Sequence, residues 1–402
     1  MVSTTAHYSQ SRYQATPGMG YDGVIRMSHA GFYASGVLLF DGRAVLTSAH
    51  LFAGKTGPTT VFFETIRGQQ SITASHFLRH PGHDDQGNND LALVWLSSAA
   101  PSSANRYNLY RDTDEIGQVF SFLGYGRTGT GNSGLDANSQ NGPDALRLKA
   151  SNQFDAEGAQ LKSFLGAGML WTPLVGTQLV ADFDNEQPAN DALGRLMGRH
   201  DLGQGWNEGL IAPGDSGGPA FINGQIAAIA SYTSNLNLGS IRPDIDTLSN
   251  SSFGELAAWQ RISAYQQWID QNVRTHYPNA PTRAQDVKTQ VIEGHSEGSY
   301  AFFLLQFTGV RSDTTLVLSV DYATRNGTAE AGGDYLAASG RLNLYPGEDQ
   351  AVIAVEILGD YQSEPDETFY LDVFNPVGGS FGTGVVTLTA MRTILNDDAW
   401  LV

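Results

Sequence analysis

Gly214-Asp215-Ser216-Gly217-Gly218-Pro219 sets one serine among glycines just past the middle of a 402-residue chain. A serine hydroxyl is a weak nucleophile at neutral pH, so acyl transfer through it needs an imidazole to take its proton. A buried carboxylate must then hold that imidazole in one tautomer. Glycines around the serine let the backbone turn so that successive N–H groups converge on a developing oxyanion. Gly214 and Ser216 are the natural pair of donors. Upstream, Leu46-Thr47-Ser48-Ala49-His50 supplies a histidine and Asn89-Asp90-Leu91-Ala92-Leu93 an aspartate. The order is His50, Asp90, Ser216, with gaps of 40 and 126 residues.

The serine segment also fits Gly-x-Ser-x-Gly, the strand-to-helix elbow of another hydrolase fold. That fold needs its acid and then its histidine after the serine. Only His276 and His295 follow Ser216, both far from the motif, so the elbow is set aside. Around the three motifs, short apolar runs such as 36–40, 60–63, 91–95, 118–122 and 225–230 alternate with Gly, Asn and Asp clusters. This pattern predicts an all-β sandwich or barrel. From Phe253 to Val273, the residues Leu256, Trp259, Ile262, Tyr265, Ile269 and Val273 fall three and four apart. That spacing predicts an amphipathic helix closing the domain. Two prolines in 275–282 mark a linker, and strand-like runs resume at 300–307, 315–322, 351–357 and 368–374. About 110 residues of this kind suit one β-sandwich. The expected organisation is a polar leader over 1–20, a catalytic domain over 21–274, a linker over 275–286 and a sandwich over 287–402.

Thr-Ser-Ala-His50, Asn-Asp90-Leu-Ala-Leu and Gly-Asp-Ser216-Gly-Gly-Pro resemble the trypsin/chymotrypsin-like serine proteases over about residues 20–274. The resemblance implies two six-stranded β-barrels, with a C-terminal helix and the site between the barrels. It implies that His50 is the general base, Asp90 its orienter and Ser216 the nucleophile. Gly214 and Ser216 would form the oxyanion hole. Ser231 matches the segment that pairs with substrate backbone. Leu210 falls at the base of the specificity pocket and Thr233 on its wall, which favours small or medium apolar residues at the cleaved position. The family also matures by exposing a new amino terminus that pairs with the aspartate before the nucleophile, here Asp215. Arg12-Tyr13 lies where such a cut would fall. The segment His80-Pro81-Gly82-His83-Asp84-Asp85 reads as a solvated loop rather than a metal site.

The net charge is −18, which repels phosphate backbones and disfavours nucleic acid as a partner. From residue 287 onward there are 5 basic and 16 acidic residues. Carboxylates gather near predicted strand ends, where loops converging at one end of a sandwich could offer Ca²⁺ its six to eight oxygens. The runs Val291-Ile-Glu-Gly294, Val320-Asp-Tyr-Ala-Thr324, Asp334-Tyr335, Glu364-x-x-Glu-Thr-Phe369 and Ile394-Leu-Asn-Asp-Asp398 resemble a Calx-beta domain, an immunoglobulin-like sandwich. The resemblance implies a Ca²⁺ site with Glu293, Asp334, Asp360, Glu364, Glu367, Asp397 and Asp398 as ligands. Gly359 and Asn396 stand where strong binders carry further acids.

There is no cysteine, which excludes disulfides and thiol chemistry. No apolar run is long enough to span a bilayer as a helix. The first residues, Met-Val-Ser-Thr-Thr-Ala-His7, show no basic region followed by an apolar one, so no secretory signal is visible. The expectation is nevertheless an extracellular serine endopeptidase acting on protein or peptide. Its sandwich would bind Ca²⁺ and possible cell-surface or matrix ligands. The alternative from another class is a non-catalytic adhesion or matrix protein that uses the protease fold as a scaffold.

Overall fold

The computed structural model describes residues 2–295 and 298–398. Residue 1 of the expected leader and residues 399–402 of the expected sandwich lie outside the described residues. The chain divides into two compact units, Met1–Leu39 with Arg43–Gln266 and Phe40–Gly42 with Gln267–Val402.

In the first unit, six strands close a barrel in the order Val24–His29, Phe32–Leu38, Ala44–Thr47, Ala92–Leu96, Gly68–Arg79, Thr59–Thr65. Thr59–Thr65 shows how sequence makes this shape. Its alternate residues Thr59, Val61, Phe63 and Thr65 are buried, while those between are half-exposed, the period of two that a one-sided strand requires. Ile25, Met27, Val45, Phe63 and Val94 fill the interior.

A second, seven-stranded sheet follows the order Leu148–Gln153, Val119–Gly124, Pro219–Ile222, Gln225–Asn235, Glu255–Arg261, Gln178–Asp182, Ala156–Glu157. Its ladder is open rather than closed. Phe120 stacks on Phe154 at 3.9 Å between ring centres, and both Phe120 and Phe122 meet Trp259 edge-on at 5.3 Å.

The helix expected over 253–273 is two elements. Glu255–Arg261 is a strand, and the helix runs Ile262–Thr275. The strand is buried on both faces and paired along both edges. A fully buried strand shows no period of two, and here Leu256 and Trp259 happened to extend the helical spacing that truly begins at Ile262. Strand pairing overrides the local pattern.

The leader also differs from expectation. Val2–Thr4 is a buried strand, antiparallel to Gly209–Ile211 with Val2 opposite Ile211, and parallel to Gly129–Thr130. Tyr13 is buried, and its hydroxyl donates to the Trp206 carbonyl at 2.6 Å. Short apolar content in a polar stretch concealed this strand.

The second unit pairs a five-stranded sheet, ordered Gln290–Ile292, Thr387–Leu395, Glu367–Val377, Leu318–Asn326, Ser339–Leu344, with the two strands Ser299–Gln306 and Gln350–Ile357. Phe303, Val320, Leu342, Ile353, Phe369 and Leu371 from both sheets form one core. This is the expected β-sandwich.

Candidate active site

His50 lies in the short 3-10 turn Ala49–Phe52 that ends the strand Ala44–Thr47. Asp90 precedes the strand Ala92–Leu96, and the two strands pair with Thr47 opposite Ala92. Their register alone brings histidine and aspartate together. Asp90 accepts hydrogen bonds from the His50 backbone N–H at 2.8 Å and shares one with His50 Nδ1 at 2.7 Å. Its third partner is the Ser231 hydroxyl, which donates at 2.6 Å. Ser231 sits where the pairing of Gln225–Asn235 with Glu255–Arg261 slips by one residue. A bulge of this kind re-aims a side chain. The Asp90 carboxylate is buried, and burial alone would raise its pKa. The bonds from His50 and Ser231 outweigh that and hold it below the usual aspartate range. The imidazole itself is 39% exposed.

The serine segment is tied to the histidine segment through one residue. The Ala230 carbonyl accepts from the Ser48 hydroxyl at 2.7 Å and from the Gly217 N–H at 2.9 Å, while the Ala230 N–H donates to the Gly218 carbonyl. Gly217 has φ +83°, and a Cβ there would lie 2.1 Å from Thr47 Oγ1. Only glycine permits this approach of the two segments. Among the described residues, Ser216 Oγ and His50 Nε2 share no direct hydrogen bond. Such contacts are often long without substrate and tighten in the complex.

The backbone N–H groups around Ser216 divide into two sets. Those of Asp215, Gly217 and Gly218 donate to Ala212, Ala230 and Asp215 carbonyls respectively. Those of Gly214 and Ser216 donate to no described residue. These two N–H groups beside the serine are thus free to donate to an acceptor. Asp215 is buried, and its carboxylate accepts from the N–H groups of Ala212 and Gly126, each at 2.8 Å. Burial pushes it up to about 6.

Beside His50 opens a cleft of about 620 Å³, lined by His83, Leu170, Trp171, Ser231 and Tyr232 among others. The Trp171 indole N–H donates to the Tyr232 hydroxyl at 3.0 Å, which donates on to Gln178 at 2.8 Å. Sequence reasoning missed this aromatic wall. The one available signal was Leu170-Trp171 beside glycines in a loop. It also placed His83 in a solvated loop, whereas the ring is 7% exposed and its Nδ1 lies 3.9 Å from Asp90 Oδ1. Burial corrects that reading. Leu210 is buried among Val2, Ile211 and other core residues, and Thr233 is half-exposed in the strand Gln225–Asn235.

In the sandwich, carboxylate oxygens of Asp334, Glu364 and Glu367 lie within 4.8 Å of one another. Asp397 and Asp398 group with His295, which sequence reasoning had not associated with them. Burial first, then Asp360, Glu364, Asp398 and Asp334, push Glu293 up to about 7. Burial and a shared proton with Asp334 push Glu367 up to about 7. All seven expected acids therefore fall in or beside one electronegative edge. A Cβ at Gly359 would lie 2.3 Å from the Gly294 carbonyl, so the backbone itself leaves no space for the acid that strong binders carry there.

Residues 10–149 match the family model described as Trypsin, and residues 288–398 match the one described as Calx-beta domain. The chain carries a trypsin domain followed by a Calx-beta domain. The Trypsin match includes His50 and Asp90 and ends before Ser216. The Calx-beta segment is 39% identical over 88 residues to the sodium/calcium exchanger Calx of Drosophila melanogaster, covering 22% of this chain and 9% of that protein. It is 35% identical over 108 residues to human sodium/calcium exchanger 2, covering 24% of this chain and 12% of the exchanger. The chain thus spans only about a tenth of the curated relatives it matches. The solved structure of mouse neuropsin, a serine protease, aligns with a TM-score of 0.46 and 17% identity over 65% of this chain and 98% of that one.

Proposed function

We propose that the chain is a secreted serine endopeptidase. The observation that carries this reading is the buried Asp90 carboxylate, bonded to both His50 Nδ1 and Ser231, in a domain whose nucleophile segment leaves two N–H groups unengaged. Ser216 Oγ attacks the scissile carbonyl carbon while His50 Nε2 takes the hydroxyl proton. Asp90 fixes the tautomer that leaves Nε2 able to accept, and stabilises the imidazolium that forms. The N–H groups of Gly214 and Ser216 receive the oxyanion. Collapse breaks the C–N bond, the proton passes from His50 to the leaving amine, and an acyl-Ser216 ester remains. Water, deprotonated by His50, then releases the acid and restores Ser216.

The substrate backbone runs along Ser231–Thr233, with an apolar side chain against Trp171 and Tyr232. Leu210, packed in the core with Val2 and Ile211, puts no charge beneath the pocket for the residue being cleaved. The Calx-beta domain binds Ca²⁺, with Asp334, Glu364 and Glu367 as the inner ligands and Glu293, Asp360, Asp397 and Asp398 around them. The buried Asp398 Oδ2, which lacks a hydrogen-bond partner, fits such a role. The ion neutralises a repelling edge and takes no part in peptide hydrolysis. Tethering to a cell-surface or matrix ligand is the task assigned to this domain.

Casein hydrolysis by the wild type and by Ser216→Ala, each in Ca²⁺ and in chelator, tests the reading. Hydrolysis is expected in the wild type and absent in the variant. Equal rates in the two proteins, or none in either, would contradict it.

A further inference from the structure

The trypsin domain contains a group of acids that the peptidase chemistry does not use. Asp182 ends the strand Gln178–Asp182. Asp184 follows it, Asp191 caps the short helix Ala192–Met197, and Glu208 precedes the strand Gly209–Ile211. All four are buried. Carboxylate oxygens of Asp182, Asp184 and Asp191 lie within 4.8 Å of one another. Oxygens that share one calcium ion at about 2.4 Å can be no more than about 4.8 Å apart, and these three acids meet that limit. A Cβ at Gly203 would lie 2.8 Å from Asp184 Cβ and 3.2 Å from the Glu208 carboxylate, so Glu208 is a neighbour of Asp184 at the margin of the three-acid group.

Some of these oxygens are satisfied. Asp182 accepts from the Leu193 N–H at 2.7 Å, Asp191 from the Gly194 N–H at 2.6 Å, and Glu208 from the Gln204 N–H. Others are not. Asp184 Oδ1 and Glu208 Oε1 are fully enclosed and have no hydrogen-bond partner. Among the described residues, no lysine or arginine pairs with any of these carboxylates. The basic partner present is His200, whose Nδ1 lies 2.8 Å from Asp191 Oδ2 on an exposed ring. Arg199 is spent on the Asp155 backbone carbonyl. Enclosing several carboxylates without counter-charge is strongly unfavourable.

We propose that Asp182, Asp184, Asp191 and Glu208 form a buried Ca²⁺ site in the trypsin domain, separate from the Calx-beta edge. An all-oxygen set on irregular loops suits Ca²⁺, which accepts adaptable geometry. Mg²⁺ keeps several waters and seldom enters an all-protein cage. The ion would tie the loop 183–208 to the strand Gly209–Ile211, which leads directly into Ala212–Ser216. Its role is to fix that loop, and it stands whether or not the chain cleaves peptides.

The test uses the full chain carrying Asp334→Asn, Glu364→Gln and Glu367→Gln, which disarm the Calx-beta edge. After chelation and return to radiolabelled CaCl₂, equilibrium dialysis should find calcium retained. Adding Asp184→Asn should abolish that retention. The melting temperature of the first protein should rise by roughly 5–10 °C in saturating Ca²⁺, and that rise should vanish with Asp184→Asn. Glu208→Gln gives the same reading should Asp184→Asn not fold. The proposal is overturned if the edge-disarmed chain, folded by circular dichroism, retains no calcium. It is equally overturned if Asp184→Asn leaves retention unchanged, or raises the melting temperature alike with and without Ca²⁺, because the group is then a set of protonated acids.

Discussion

Asp90 is held by three hydrogen bonds, and each has a separable consequence. Asp90→Asn preserves the shape but offers Nδ1 the wrong partner, so His50 takes the wrong tautomer. A loss of about 10⁴-fold in kcat is expected, with little change in KM. Ser231→Ala removes one of the bonds that keep Asp90 ionised. The Asp90 pKa should then move up, as NMR titration of that carboxylate would read. An Asp90 titration unchanged in the variant would show that Ser231 does not tune the aspartate. Gly217→Ala drives a methyl into Thr47 Oγ1 at a positive φ. It should reduce kcat by more than about 100-fold, as small misplacements near the chemistry do, which steady-state kinetics would show.

Elements carry the parts of the account that short motifs do not reach. The strand Val2–Thr4 pairs with the segment running into the nucleophile, so cutting at Arg12 would remove part of the fold. Val2→Ala should lower stability by about 1.5–3 kcal/mol, read from denaturant midpoints. Cleavage after Arg12 should lower the melting temperature without increasing activity. Gly359→Asp is expected to weaken Ca²⁺ binding rather than add a ligand, because its Cβ meets the Gly294 carbonyl. Calorimetric titration of the wild type and variant would decide. The motifs around His50, Asp90 and Ser216 stand out in the sequence because each is local and its residue types are those one reaction demands. The strand at Glu255–Arg261 was not, since burial on both faces removes the alternation that marks a strand. The acids at 182–208 were not either: loops bring them together, and no fixed spacing announces it. His83 read as solvated because its neighbours are polar, although the fold turns the ring inward beside Asp90.

At the scale of the whole molecule, charge and pH act together. The chain carries a net charge of −18, much of it from residue 287 onward. Glu293 and Glu367 rise from 4.5 to about 7 in the folded chain. The folded state therefore binds more protons than the unfolded state between those values. The stability from that difference is fully present below pH 4.5 and is lost as pH rises through about 7. In chelator, the transition assigned to this domain should fall in temperature from pH 5 to pH 8, and Ca²⁺ should flatten the slope. A flat profile in chelator would contradict the pairing of these acids.

The most direct test of the central claim is a covalent one. The wild type, Ser216→Ala and His50→Ala would each be treated with a serine-directed fluorophosphonate and examined by intact mass and peptide mapping. The account predicts one adduct on Ser216 in the wild type, none in Ser216→Ala, and very slow labelling in His50→Ala. A folded wild-type protein that takes no label, or takes it equally in all three, would contradict an activated Ser216.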